Sequence, residues 1–451
     1  MSSLAPPLSA ATLRARCAAV VAQARAAGLH AEAFAESERV AEATLRAGEL
    51  DTLSTIDETV IGLRVWLDGR VGFATTNDPD GLDALLDAAA AVARATPADA
   101  AFAPPPGRAL GASAAVDPAI LALTPGDLAA EALALRDAVR AQDPRVSIDS
   151  ATVTASGHAR AIVSSTGADA AFEAAGLGAS VFGMAIDGDE IGSFADASDE
   201  VRARASAGPA FAAVAARFVR LAVGALGAGP GVSFRGPVVL HPEAVAELIL
   251  DPLLDALRGD RVRTGRSPLA GRVGQPVASP AFSLHAVGAG LPGFALAPFD
   301  REGHPRASRP LIDQGVLRGF FLNHTDARAL GLPPTGDATG GASGLPGTGP
   351  AALTIAPGGA SSAALHAGPR VLALTRFSGT TDAVSGDFSG VCKGGFLWEG
   401  GHARPVREVT VAGNLWEALH ALSGVGDALH ALGPALALPL LRVEGLSVTA
   451  G

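Results

Sequence analysis

Val60-Ile61-Gly62-Leu63-Arg64-Val65-Trp66-Leu67-Asp68-Gly69-Arg70-Val71-Gly72-Phe73-Ala74-Thr75 reads as two strands joined by a two-residue turn. Asp-Gly between β-branched and aromatic runs is a strong hairpin signal, because both central residues of a type I′ turn need positive φ. The stretch predicts strands over 60–67 and 71–75 and an antiparallel sheet to hold them.

Upstream of the hairpin, apolar positions recur at helical spacing over 13–27 behind Ser9, a candidate cap, and 31–38 alternates as a strand. Downstream, 80–96 has a helical pattern. Residues 101–118, with Pro104, Pro105 and Pro106, read as an extended connector. A helix is expected over 125–142, opened by Pro125 where its missing N–H is harmless. From 146 to 194 the pattern turns to short alternating segments broken at Ser156-Gly157, Thr166-Gly167 and Asp187-Gly188, which predicts an antiparallel meander with one wet face. A helix over 209–226 follows, then a Gly/Pro break at 227–231 that marks a domain boundary. Beyond it come a strand over 238–240, one long helix over 242–257, and a Gly- and Pro-rich remainder of many short strands. The expected fold class is α+β: a mixed α/β domain with an antiparallel sheet over 1–228, and a mainly β domain with one long helix near its start over 229–451.

Length and composition agree with two lobes. The chain has 451 residues, 48% apolar and 18% charged, with aromatics at 4% and no Tyr. A net charge of −11 argues against a phosphate-tracking surface, so nucleic acid is not an expected partner. Cys17 and Cys392 stand alone, without metal or disulfide spacing, which predicts a reducing, cytoplasmic setting. No basic segment followed by an apolar core opens the chain, and Arg217, Arg220, Asp251 or Pro439 interrupts the apolar stretches, so neither export nor a membrane span is expected.

Four unusual strings follow one another in the second half: Phe299-Asp300-Arg301-Glu302-Gly303, Thr335-Gly336-Asp337, Ser385-Gly386-Asp387-Phe388-Ser389-Gly390 and Val411-Ala412-Gly413-Asn414-Leu415. Their ordered conjunction resembles the TldD/PmbA family of peptidases. Gly62-Leu63-Arg64-Val65 with Gly72-Phe73-Ala74 is similar to that family's N-terminal hairpin, and Glu399-Gly400-Gly401 with Pro405-Val406 to a later stretch. The resemblance runs from about residue 30 to 450.

In the zinc-carrying subunit of that family a helix bears His-Glu-x-x-x-His, two imidazoles binding the metal and the carboxylate serving as general base. The corresponding segment here is Pro242-Glu243-Ala244-Val245-Ala246-Glu247, with both histidines replaced, and no cysteine follows His430 to supply a further ligand. The resemblance is therefore to the PmbA-like (TldE-like) branch. It implies a chain that binds no catalytic zinc itself and pairs with a TldD-like zinc-carrying subunit in a heterodimer that trims short or unfolded peptides. His241 lies two residues from Glu243, a spacing that puts the two on divergent helix faces, and it reads as a strand-end histidine just outside Pro242.

Asp300, Arg301 and Glu302 read either as a turn pinned by Gly303 and backbone bonds or as a clamp on a peptide terminus; Asp387 and Ser389 either cap a loop or touch substrate. Asn414 reads as a turn or cap residue. Glu243 and Cys392, the latter beside Lys393, are the candidates for catalysis by this chain alone. His304, His324 and His402 sit on expected loops, and 336–344 reads as a flexible loop of the length that covers sites. Three readings stand: a non-catalytic partner subunit of a metallopeptidase, an autonomous hydrolase with a recast site, and a peptide-binding or scaffolding homodimer.

Overall fold

A computed structural model describes residues 4–288, 291 and 296–451. In it Glu49–Leu67 pairs antiparallel with Arg70–Thr76, Leu67 opposite Arg70, and the turn residues Asp68 and Gly69 have φ of 48° and 70°. Both lie in the left-handed region that a type I′ turn demands. Alternation then sorts the first strand's two faces. Ile61, Leu63 and Val65 are fully buried against helices Ala10–Ala26 and Leu82–Ala95, in one core with Leu13, Val20 and Leu85. Gly62, Arg64 and Trp66 point the other way, toward the second half of the chain. A Cβ at Gly62 would stand 2.2 Å from the Ala342 carbonyl oxygen, so only a bare backbone admits that contact.

Ser9 caps the first helix, its hydroxyl accepting from the Thr12 N–H, and Thr124 with Asp127 forms a reciprocal capping box around Pro125 at the start of helix Pro125–Arg140. The first sheet runs in the order Arg70–Thr76, Glu49–Leu67, His30–Arg46, Val146–Ser164, Asp169–Asp187 and Ala109–Ala115, with Ala195–Val201 also on the strand Asp169–Asp187. Two expectations fail here. The meander is built from two strands of 19 residues, because Ser156-Gly157 is no turn: Gly157 pairs with Arg39 and Ala175 in mid-strand, and a Cβ there would meet the Leu4 carbonyl oxygen at 2.2 Å. Thr166-Gly167 is the true turn, with Gly167 at φ 107°. The connector over 101–118 also contributes a strand, Ala109–Ala115, parallel to Asp169–Asp187.

Helix Ala207–Gly224 buries Phe211, Val214, Ala215, Phe218, Val219 and Ala222 at helical spacing against the same sheet. Each fully buried large side chain, such as Phe218, contributes roughly 1.5–3 kcal/mol. By length and composition Arg204–Gly224 could cross a membrane, but its apolar stripe is used in this internal packing.

The second half is β-rich. Strands Arg370–Thr381, Phe234–Leu240, Leu441–Ala450, Val409–Asn414 and Asp387–Glu399 pair in that order, and the last pairs again with the first, so the sheet closes on itself. Phe377 and Phe388, edge to face at 5.9 Å, help fill its interior. The expected single helix after Leu240 is present but uneven: Pro242–Ala244 is α-helical, Val245–Leu250 widens to a π-helix, and Asp251–Ala256 is α-helical again. Pro252 has no N–H to donate and its ring crowds the carbonyl four residues back, a conflict that the wider turn relieves.

Candidate functional site

Asp300 ties the first string to the residue that follows the second. Its Oδ1 accepts from the N–H groups of Glu302 and His304, both at 2.9 Å, and its Oδ2 from that of Ala338 at 3.0 Å. Burial, reinforced by the neighbouring Glu302 carboxylate, outweighs these donors and pushes the Asp300 carboxyl up to about 7. Next to it lies a buried square of alternating charge that spans the two halves of the chain. Arg64 donates to Glu302 at 2.9 Å and to Glu32 at 2.8 Å, and Arg301 donates to Glu32 at 3.2 Å. The Arg301 guanidinium also lies 4.1 Å from the centre of the Phe34 ring. Burial would raise the Glu302 carboxyl, but Arg64 and the His324 N–H, at 2.6 Å, hold it below the usual range. Asp300, Arg301 and Glu302 are thus 1–3% exposed. Asp300 and Arg301 edge a cavity of about 370 Å³ with Glu36, Arg160 and Arg306.

The loop over 336–344 was expected to be flexible and is docked instead. Ala338–Thr339 pairs with Gly347–Thr348, Arg309 ion-pairs with Asp337, and the Ala342 N–H donates to Glu36 at 2.8 Å. The last of these contacts seats the loop on the first sheet.

The other two strings are joined directly. Asp387 lies opposite Asn414 on neighbouring strands and accepts from its side-chain amide at 2.9 Å. Asn414 also donates to the Ser385 carbonyl, and its Oδ1 accepts from the N–H groups of Trp416 and Glu417, capping helix Leu415–His420. Ser389 is exposed on the same face of its strand as Asp387, opposite Ala412 and Thr380.

Glu243 lies apart from all four strings. It lines a cavity of about 750 Å³ between helix Ala207–Gly224 and the second half, with Arg217, Arg220, His241 and His430. Arg217 ion-pairs with Glu243. Glu247 accepts the Phe377 N–H at 2.6 Å and faces Arg376 at 3.4 Å. His241 sits just ahead of Pro242 in extended conformation and makes no cap bond with its side chain. Burial, with His366, His430 and Arg220 nearby, lowers its pKa to about 4.

The donors on this helix do not fit a zinc ion, since both carboxylates are committed to cations or a backbone donor and Pro242 offers none. Among the described residues no three His, Cys, Asp or Glu side chains converge as a metal site would require. His304 and His324 do come together, ring centres 6.5 Å apart, while His402 lies on a separate strand.

The nucleophilic reading of Cys392 meets an unfavourable environment: the thiol is buried and pushed up to about 12 by that burial. Lys393, the next residue of a regular strand, is exposed on the opposite face, so its charge gives the thiol no help.

Sequence reading passed over Glu32, Arg64, Arg217 and Arg220 as site residues. Arg217 and Arg220, three apart in an otherwise apolar helix, carried a legible signal: they share one face. The pairing of Arg64 with Glu302, 238 residues apart, carried none.

Comparison with known proteins agrees with this geometry. The family model for the PmbA/TldA metallopeptidase C-terminal domain matches residues 233–450, and that for PmbA/TldA metallopeptidase domain 1 matches residues 31–93. A metalloprotease of Methanothermobacter thermautotrophicus is 30% identical over 209 residues, 46% of either chain. Metalloprotease PmbA of Escherichia coli O157:H7 is 28% identical over 200 residues, 44% of this chain and 42% of that one. The chain thus matches less than half the length of these curated relatives. In structure, it superposes on TldE from Thermococcus kodakarensis with a TM-score of 0.85 at 21% identity, covering 93% of this chain and 96% of that one. A Thermotoga maritima protein described as a candidate modulator of a DNA gyrase gives 0.84 at 21% identity, covering 96% and 99%. At this identity the superpositions speak for the fold. With two family domains matched in order, the chain belongs to the PmbA/TldD family.

Proposed function

We propose that this chain is the PmbA/TldE-like subunit of a TldD/TldE-type metallopeptidase that processes small or unfolded peptides, and that it does not itself bind the catalytic zinc. The observation that carries the reading is the state of the helix after Leu240. Pro242 opens it, Glu243 is ion-paired with Arg217, and Glu247 is bound to the Phe377 N–H, so neither carboxylate is free to take a metal or activate water. The zinc would reside on a TldD-like partner. The peptide would lie in the cavity beside Glu243, with the chemistry supplied from the partner's side. A reducing cytoplasmic setting fits two buried cysteines that form no disulfide.

A peptide-binding or scaffolding homodimer is the second reading, favoured by one feature of the first sheet. Strand Glu49–Leu67 is paired with Arg70–Thr76 only from Ile61 onward, and its open edge before that carries Leu50, Leu53 and Ile56, each 45–59% exposed. Such an edge can pair with another chain.

The deciding experiment measures zinc content and peptide cleavage of the purified chain, alone and mixed with a homologue bearing His-Glu-x-x-x-His. Zinc-free and inert alone but active in the mixture is the expected result. Stoichiometric zinc, or chelator-sensitive cleavage by this chain alone, overturns the reading; an inert mixture favours the homodimer.

A further inference from the structure

The cavity beside Glu243 is apolar over much of its wall, where Leu221, Leu365, Phe396, Leu429 and Leu440 line it. Its charged groups are few. Arg217 and Glu243 neutralise each other. Asp427, like Arg220, is exposed at the mouth of the cavity, and no ion pair joins the two. Arg220 has no ion-pair or hydrogen-bond partner among the described residues. Its exposed side chain, on helix Ala207–Gly224, lines the cavity together with His241 and His430. Burial lowers the pKa of both histidines first; His366, His430 and then Arg220 lower that of His241 further, and Arg217 and then Arg220 that of His430. Arg220, exposed at the mouth, is a cation without an ion-pair partner among the described residues, on a cavity whose wall also carries two imidazoles able to donate a hydrogen bond each. The complement of such a wall is an anion carried on an apolar body.

We propose that the cavity holds a peptide by its C-terminal carboxylate, seated on Arg220 between His241 and His430, with an apolar last side chain against Leu221 and Phe396. This rests on the reading that peptides bind in this cavity. It adds an end preference that bonding along a sheet edge alone would not give. A guanidinium grips a carboxylate through two parallel N–H donors, and an amide terminus cannot replace the charge.

The test is fluorescence anisotropy of N-terminally labelled Ala-Ala-Ala-Leu, as free acid and as C-terminal amide, with the full chain and with Arg220→Ala and Arg220→Lys. Charge-assisted hydrogen bonds on this scale predict that wild type prefers the free acid by about tenfold or more. Arg220→Ala should bring the two forms within about twofold, and Arg220→Lys should recover part of the preference, a point charge replacing the fork. A labelled Ala-Ala-Glu-Leu amide distinguishes a side-chain carboxylate from the terminus and should bind like the plain amide. Equal binding of acid and amide by wild type overturns the carboxylate site while leaving peptide binding intact. Absence of binding by either form overturns both.

Discussion

Arg64 donates to Glu302 at 2.9 Å from a strand 238 residues earlier in the chain, and to Glu32 at 2.8 Å on its own sheet. Both carboxylates are 1% exposed, so this one guanidinium ties the two halves of the chain through charges that water does not reach. Arg64→Met would strand two carboxylates with only Arg301 to share, and breaking a buried pair by removing one member costs about 3–5 kcal/mol. Urea denaturation should show a loss of that size, whereas a midpoint within experimental error of wild type would mean that the square contributes no stability. The double change Arg64→Met with Glu302→Leu should recover part of the loss, since it removes an orphaned charge.

Asp300 makes stability depend on pH in an unusual direction. Its folded-state carboxyl is raised to about 7 from 3.8, burial being the main cause and Glu302 the next. Between these values the native state holds a proton that the unfolded chain has released, so this group's contribution falls as pH rises from about 4 to 7 and is level above that. The slope cannot exceed about 1.4 kcal/mol per pH unit. Asp300→Asn, which retains one acceptor oxygen, should be less stable than wild type at pH 4 and close part of that gap by pH 7.5. A constant gap across that range would show that Asp300 is ionised throughout.

Asn414 satisfies Asp387, the Ser385 carbonyl and two N–H groups at the start of helix Leu415–His420. Loss of a side-chain N-cap costs about 0.5–2 kcal/mol. Asn414→Ala should sit toward the upper end of that range, and Asp387→Ala, which removes one exposed bond, below about 1 kcal/mol. A double-mutant cycle should give a coupling of at least about 0.5 kcal/mol between the two, and zero coupling would dismiss the bond that joins the third and fourth strings.

Glu243 is occupied by Arg217, which leaves it no role as a base. In a complex with a zinc-carrying homologue, Glu243→Gln should therefore keep peptidase activity within a few fold of wild type. A general base removed from catalysis loses about 10²- to 10⁴-fold, and a fall of that size in kcat would assign Glu243 to the chemistry.

The two cysteines are buried, and burial raises both thiols to about 12. At pH 8 the thiolate fraction is then on the order of one in ten thousand. Ellman's reagent should leave the native protein unlabelled over minutes and titrate both thiols in urea. Rapid native labelling at Cys392 would revive it as a nucleophile.

Local chemistry was legible wherever one short segment decides its own conformation. Asp68-Gly69 specified the turn, Ser9 and Thr124 specified helix starts, and Pro242 specified where the helix after Leu240 begins. The lost histidines at 242 and 247 were equally plain, because a ligand that is not encoded cannot be supplied by folding. Glycine was where local reading failed: Gly157 resembled a turn residue, yet its bareness serves the close approach of Leu4, a contact made by a segment more than a hundred residues away.

By itself, then, the sequence determined the α+β class, the hairpin, the helix starts, the family strings and the absence of the zinc motif, all properties of residues within a turn or two of one another. Only the tertiary structure decided that the second sheet closes on itself, that Asp300 and Glu302 face inward to Ala338 and Arg64, and that Arg220, His241 and His430 line one cavity. The reason is physical: strand pairing and ion pairing are settled by which distant segments exclude water together, and a charge reveals whether it is a bond, a cost or a binding site only once its burial and its neighbours are known.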